Sequence, residues 1–204
     1  MPDKKPTRIQ IQNRAKISAA ALSVFAAEGF RGATIDAIAE AAGMSKPNLL
    51  YYFPSKDAIY RALLEQLMHN WLKPLRELRS DGDPATEIAA YLDRKIEMSR
   101  AFPQESRLFA NEILRGAPGM ADVLGGELKA LVDEKAEIIR GWSEAGRIAD
   151  VDPHHLMFAI WSTTQHYADF DAQVRMLLDD SGEGRFQDAS TFLKRLFLDG
   201  LKPR

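Results

Sequence analysis

Apolar residues recur three and four apart along almost the whole chain, and no stretch of about four to eight residues alternates cleanly enough to argue for a strand. That periodicity restricts the chain to an all-α fold. Its helices are marked by regular punctuation. A first helix carries Ile17, Ala20, Ala21, Val24 and Phe25 on one face and stops at "EGFRGA", where Gly29 and Gly32 are expected to take positive φ. Thr34 caps a second helix that ends at Gly43, and Ser45 caps a third, "SKPNLLYYF", with Pro47 in its first turn, where a missing N–H costs little. Ser55 caps a long fourth helix, predicted from Lys56 to about Arg79 with a kink at Pro74.

Beyond it, helices are predicted from Asp83-Pro84 to about Arg100, from Pro103 to Leu114, and from after "GAPG" through Trp142. Another opens at Asp152-Pro153 and is expected to reach about Leu178; "DDSGEGRFQ" reads as a loop, and a last helix covers Asp188 to Leu201. The result is an N-terminal three-helix domain, 1–55, joined by the long helix to a C-terminal helical bundle, 56–204.

Composition narrows the class. With 46% hydrophobic and 27% charged residues the chain can bury a core. It has no cysteine, which excludes a disulfide framework, a thiolate metal site and a thiol nucleophile. The N-terminal stretch "MPDKKPTRIQIQNRAK" lacks the apolar core of a signal peptide, and no run approaches the ~18 apolar residues of a membrane span, so a cytoplasmic protein is expected. The net charge of -2 is unevenly placed: residues 1–60 hold 8 Lys+Arg against 5 Asp+Glu, and residues 61–204 hold 19 against 24. A basic module on an acidic body suggests a polyanion at one end.

Two short helices joined by "AAGMSK" have the proportions of a helix-turn-helix, whose second helix enters the major groove while the first braces it across the backbone. On that reading Ser45 starts the recognition helix. Lys46, Pro47 and Asn48 face base edges, Leu49 and Phe53 point into the small core, and Tyr51, Tyr52 and Lys56 reach phosphates. Thr34 offers its hydroxyl and nearby N–H groups to a phosphate. The same pattern fits an ordinary three-helix subdomain with solvated aromatics, and the pattern alone does not choose.

The run "GFRGATIDAIAEAAGMSKPNLLYYFPSKDAIY", residues 29–60, resembles the DNA-binding domain of the TetR family of repressors, down to the "F-x-SK" that opens the fourth helix. Pro47 stands where many members have Gly and Leu50 where many have an aromatic residue, so the operator sequence does not carry over. "NLLYYFPSK", "SRLF", "LKALVDEKAEIIRGW" and "IWSTTQHYADF" resemble, nearly end to end, the branch of that family that controls pyrimidine utilisation. This resemblance implies a homodimeric repressor that binds near-palindromic double-stranded operator DNA and is loosened from it by uracil or thymine, with no cofactor.

"IWSTTQHYADF", residues 160–170, sets many polar groups in a helix that should be buried, and buried polar groups are costly unless something answers them. Phe158, Trp161, Gln165 and Ala168 share one face, placing an aromatic wall one turn from a carboxamide. Uracil is a flat ring with an imide edge, and a primary amide can meet two of its groups side by side as acceptor and donor. Trp71, isolated in "MHNWLKPL", is a second candidate wall, and Phe109 with Asn111 in "RLFANEIL" are candidates to close the pocket. Core packing competes as the reading of Phe109, and a structural role as that of Trp71 and Asn111.

Other features are expected to be structural. His154 and His155 fall on different helix faces, and His69 and His166 lack metal-ligand spacing with a nearby acid, so no metal site is expected. "DEKAEIIR" reads as a solvated helix face. The last helix has a broad apolar face, Phe192, Leu193, Leu196, Phe197 and Leu201, which suits a dimer seam with the helix at 153–178. An enzyme on a helical bundle is the contrasting class. The chain has no G-x-S-x-G, no P-loop and no H-E-x-x-H, and Glu112 stands as a carboxylate without an evident partner. A TetR-type repressor with a more apolar effector is the third alternative.

Overall fold

The computed structural model describes residues 7–178 and 182–203, and among them it is helical with no strand. No helix of the described residues is long and apolar enough to cross a membrane. The chain divides into two compact units, one of residues up to Met68 with Arg107–Met120, the other of His69–Ser106 with Ala121 onward.

In the first unit, α1 (Arg8–Gly32) starts earlier than its apolar face suggests, because Thr7 and Gln10 form a capping box at its head. Gly29, at φ 68°, breaks the helix one turn before its end. Gly32 stays helical, so only one of the two glycines expected to take positive φ does so. Thr34 caps α2 (Ile35–Ala41) by accepting from Ala37 N at 3.1 Å, and Ser45 caps α3 (Lys46–Tyr52) by accepting from Asn48 N at 3.4 Å. Ile17, Ala21 and Phe25 of α1, Ile38 and Ala39 of α2 and Leu49 of α3 make the core, with Phe53 behind them. Truncating Leu49 to Ala here would cost about 2–5 kcal/mol.

Helix α4 (Lys56–Arg76) is continuous through Pro74 and ends three residues before the expected Arg79. Its first-unit part adds Ile59, Tyr60, Leu63 and Leu64 to the core. The Tyr60 ring meets Phe25 edge-on at 5.0 Å and Phe30 at 4.7 Å.

The second unit is built around α5 (Pro84–Ala101), which packs against both α9 (Pro153–Asp169) and α11 (Gly184–Gly200). Asp83 and Asp152 cap α5 and α9 by accepting from Thr86 N and His155 N, both at 2.9 Å. Between them come α6 (Pro103–Leu114), whose residues from Arg107 belong to the first unit, and a short α7 (Ala121–Val123). A π-helical turn over Leu124–Leu128, where Gly125 and Gly126 weaken the α-helix, leads into α8 (Lys129–Glu144).

Three expectations are corrected in this unit. The helix opened by Asp152-Pro153 does not run to Leu178: Phe170, at φ -114° and ψ 29°, breaks it, and α10 (Asp171–Leu178) follows. The break sets Asp171 in the first turn of α10, where it pairs with Arg175 and, at 2.9 Å, with the buried Arg185. Arg185 and Phe186, assigned to a loop by their Gly-rich surroundings, are buried residues of the first turn of α11. "DEKAEIIR" is not a wholly solvated face, since Lys135, Ala136 and Ile139 are buried and the Lys135 ammonium donates to the carbonyl of Leu78. Residues 179–181, part of the expected loop, lie outside the described residues.

Candidate nucleic-acid interface and effector site

The helix-turn-helix geometry is local in origin. Gly43, at φ 59°, supplies the left-handed residue that lets the chain leave α2 and start α3 within a few residues. Leu49 and Phe53 anchor α3 from behind, which leaves Lys46, Pro47, Asn48 and Tyr51 exposed, Tyr51 at 71%. Thr34 and Ser45 are exposed as well, with their hydroxyl oxygens engaged as caps.

Three of the expected DNA-facing groups, Lys46, Lys56 and Tyr52, are engaged with other residues of the protein. The Lys46 ammonium pairs with Asp36 of α2 at 2.9 Å, with both side chains exposed. Lys56 donates to the carbonyls of Phe30 and Ala33 at 2.7 and 2.8 Å and lies 4.6 Å from the Phe30 ring, so it ties the end of α1 to the start of α4. The Tyr52 hydroxyl accepts from Asn13 at 2.6 Å while Arg14 donates to the Tyr52 carbonyl at 2.8 Å; α1 thus holds the end of the recognition helix.

Glu112, fully buried on α6, has the partners that sequence inspection could not find. It accepts from the Tyr60 hydroxyl at 2.8 Å and from Gly119 N at 2.6 Å, with Arg115 at 3.6 Å. These bonds hold the "GAPG" turn against α4 within the first unit. Burial, then the bond to Glu112, pushes the Tyr60 phenol above its ordinary range.

In the second unit, Trp71, Trp161 and Gln165 are arranged around α5. The Trp161 indole is half-buried, and its N–H donates to the Tyr91 hydroxyl at 2.6 Å. One turn along α5 from Tyr91, the Lys95 ammonium lies 4.7 Å from the centre of the Trp71 ring. Gln165 is half-buried, and its amide makes no hydrogen bond to another described residue, whereas its neighbours Thr163 and Thr164 both turn their hydroxyls back to helix carbonyls. Phe158, at 50% exposure, extends the aromatic face, 5.6 Å from Trp161. Phe109 and Asn111 lie on the part of α6 assigned to the first unit, half-buried and exposed respectively.

Sequence reasoning missed Tyr91 and Lys95. The signal was present: on α5, Ile88, Tyr91, Leu92, Lys95, Ile96 and Ser99 form one stripe, so a lysine occupies a core position. Lys95 is only 2% exposed, and burial pulls its amine down to about 7, against a smaller opposing field from Asp169. Among the described residues no group of three or more His, Cys, Asp or Glu could hold a metal ion.

A helix-turn-helix followed by a helical bundle defines a DNA-binding transcriptional regulator. Residues 17–63 match the family described as bacterial regulatory proteins, tetR family, and residues 64–204 match the C-terminal region of YcdC-like proteins; the chain belongs to the TetR family. Its relatives include the HTH-type transcriptional regulator RutR of Escherichia coli K12, 46% identical over 202 residues that cover 98% of this chain and 95% of the relative. The HTH-type transcriptional activator FasR of Mycolicibacterium smegmatis is 32% identical over 50% of this chain and 47% of its own length.

Among solved structures, the ketosteroid transcriptional regulator KstR2 of Mycobacterium tuberculosis superposes with a TM-score of 0.73 at 18% identity, covering 94% of this chain and 95% of that one. A putative transcriptional regulator from Streptomyces coelicolor reaches 0.71 at 23% identity, covering 94% and 99%. These likenesses bear on the fold alone. Regulators of the TetR family bind operator DNA, dimerise and bind small-molecule effectors, and this chain is a transcriptional regulator of that type, not an enzyme.

Proposed function

We propose that the protein represses pyrimidine-utilisation genes as a homodimer and leaves its near-palindromic operator when uracil or thymine binds the C-terminal bundle. The 46% identity to a RutR protein over nearly the full chain supports this reading. The observation that carries the effector is Gln165, a half-buried amide with no described hydrogen-bond partner, one turn from a Trp161 indole held by Tyr91. An amide beside an aromatic wall suits an imide edge on a flat ring: its oxygen accepts the ring N3–H while its NH₂ donates to an adjacent carbonyl. Trp71 is a second wall.

On the DNA side, Lys46, Pro47 and Asn48 face base edges, with Thr34, Ser45, Tyr51, Tyr52 and Lys56 in supporting roles at the backbone. Two recognition helices about one helical turn of DNA apart read the two half-sites. Effector shifts the protein toward a spacing of those helices that fits DNA less well, since a ligand moves an equilibrium only by preferring one state. Helix α4, which carries both Lys56 and Trp71, is the lever.

A thermal-shift screen of uracil, thymine, cytosine, N3-methyluracil, lipophilic cations and acyl compounds tests the reading. Uracil and thymine should stabilise the protein and N3-methyluracil should not. Stabilisation by an apolar compound alone would replace the pyrimidine reading with that of a TetR-type repressor with an apolar effector.

A further inference from the structure

The amide proposed to meet the effector has a limitation. A carboxamide can turn over and exchange donor for acceptor, so Gln165 alone does not separate uracil from cytosine, whose edge carries the reversed pattern. Discrimination needs a group that can only donate or only accept.

Lys95 in its charged form is such a group, and its placement is unusual. It is 2% exposed, its ammonium makes no hydrogen bond to a described residue, and no carboxylate oxygen of a described residue lies within 4.0 Å of that ammonium. A buried charge without such a partner is costly. Two contacts fix where it sits along α9: Tyr91, one turn before Lys95 on α5, accepts from Trp161, and Ser99, one turn after it, donates to the Thr164 carbonyl at 2.9 Å. Lys95 therefore lies between these two contacts, opposite the segment of α9 that carries Trp161 and Gln165, with its charge over the Trp71 ring.

We propose that Lys95 is a specificity-determining residue of the effector site, donating to the C4 carbonyl of a bound pyrimidinedione and rejecting pyrimidines with an amino group at that carbon. The inference rests on the uracil reading above. An ammonium has three donors and no acceptor, so it cannot adapt to a 4-amino group as an amide can. The Trp71 face stabilises the cation, and a carbonyl oxygen supplies the acceptor that no described residue does.

The charged surroundings give a second readout. From α9 the group acting on Lys95 is Asp169, itself accepting from Ser106 at 2.5 Å. On α5, Tyr91 lies one turn away and is kept un-ionised by burial, Arg94 pairs with Glu77 and Glu97 with Arg100, and on α11 Lys194 and Arg185 are engaged with Asp93 and Asp171. From α4 it is the neutral Trp71 indole that meets the ammonium. The Lys95 amine, at about 7 without ligand, is charged below that pH and neutral above it. A carbonyl acceptor favours the charged form, so binding takes up a proton above about pH 7, and uracil affinity falls as pH rises past it, by up to about tenfold per unit.

Calorimetry on the full chain tests this, with uracil and cytosine titrated into wild type and Lys95→Met at several pH values where the uracil imide stays protonated, in two buffers of different ionisation enthalpy. The expected result is proton uptake on binding to wild type above pH 7. In Lys95→Met, uracil affinity should fall about 10- to 100-fold, its pH dependence should flatten, and the preference for uracil over cytosine should shrink at least about tenfold. Uracil bound by wild type without proton uptake, or an unchanged uracil-to-cytosine ratio in the variant, overturns the role of Lys95 and leaves the effector reading standing. No uracil binding by wild type overturns both. The proton count on wild type stands even if the variant does not fold.

Discussion

The indole N–H of Trp161 donates to the hydroxyl of Tyr91 at 2.6 Å, joining α9 to α5 through two aromatic side chains. Trp161 is thereby held in one orientation, with Phe158 alongside it and Gln165 one turn on. Tyr91→Phe removes only an oxygen. It should nevertheless leave the indole N–H without its acceptor, at a cost of about 1–3 kcal/mol in denaturant unfolding, and weaken uracil binding through a looser Trp161. Wild-type stability and affinity in that variant would show that the hydrogen bond does not position the wall.

The exposed Lys46–Asp36 pair has a consequence for DNA binding. To reach DNA the ammonium must exchange one carboxylate for another acceptor, and an exposed ion pair contributes only about 0–1 kcal/mol. Lys46→Ala should weaken operator binding without changing the fold or the effector affinity. If the lost contact is to a phosphate, the salt dependence should flatten by about one unit of slope. Asp36→Asn should strengthen binding, by freeing the ammonium and removing a negative charge near DNA. Anisotropy titrations across salt measure both; operator affinity of Lys46→Ala equal to wild type at every salt would displace α3 as the reading helix.

Lys56 should behave differently. Its two bonds to the Phe30 and Ala33 carbonyls make it a tie across the helix-turn-helix unit, so Lys56→Met leaves two acceptors unsatisfied. Thermal melts should show a loss of about 1–3 kcal/mol in Lys56→Met and none in Lys46→Ala. Unchanged stability with reduced operator affinity would instead make Lys56 a plain phosphate contact.

Glu112 is fully buried and accepts from both Tyr60 and Gly119. Tyr60→Phe takes away one donor, leaving a buried carboxylate less satisfied, and should lower stability by about 1–3 kcal/mol. Urea unfolding of the variant beside wild type would reveal that loss. Wild-type stability in the variant would show that the Tyr60–Glu112 bond does not hold this turn.

Much of this architecture was legible in the sequence because it is written in local chemistry. Thr34, Ser45, Asp83 and Asp152 each cap the helix that follows, as their side-chain oxygens favour. The errors arose where distant residues decide. Arg185 looked like loop because Gly182 and Gly184 flank the segment, yet its burial depends on Asp171, fourteen positions away in the chain. The break at Phe170 has no proline or glycine to announce it. Glu112 seemed isolated because its partners come from α4 and the Gly119 turn. At the candidate effector face, the row of polar residues in 160–170 points to Trp161 and Gln165, whereas Tyr91 and Lys95 are hidden inside an ordinary amphipathic pattern. Reading them required knowing that α5 and α9 pack together.

The central claim is that a pyrimidinedione held by Gln165 releases this regulator from DNA. It is tested most directly by anisotropy of a labelled duplex, selected by the protein itself from a random pool, with wild type and Gln165→Leu titrated in the absence and presence of saturating uracil. Losing two hydrogen bonds and stranding the imide edge against an apolar side chain should reduce uracil affinity at least ~10-fold and up to ~1000-fold. The account predicts that uracil weakens duplex binding by wild type, that Gln165→Leu binds the duplex as tightly as wild type, and that uracil at the same concentration no longer releases it. Duplex affinity of wild type unmoved by uracil, or release of Gln165→Leu at wild-type uracil concentrations, would contradict it.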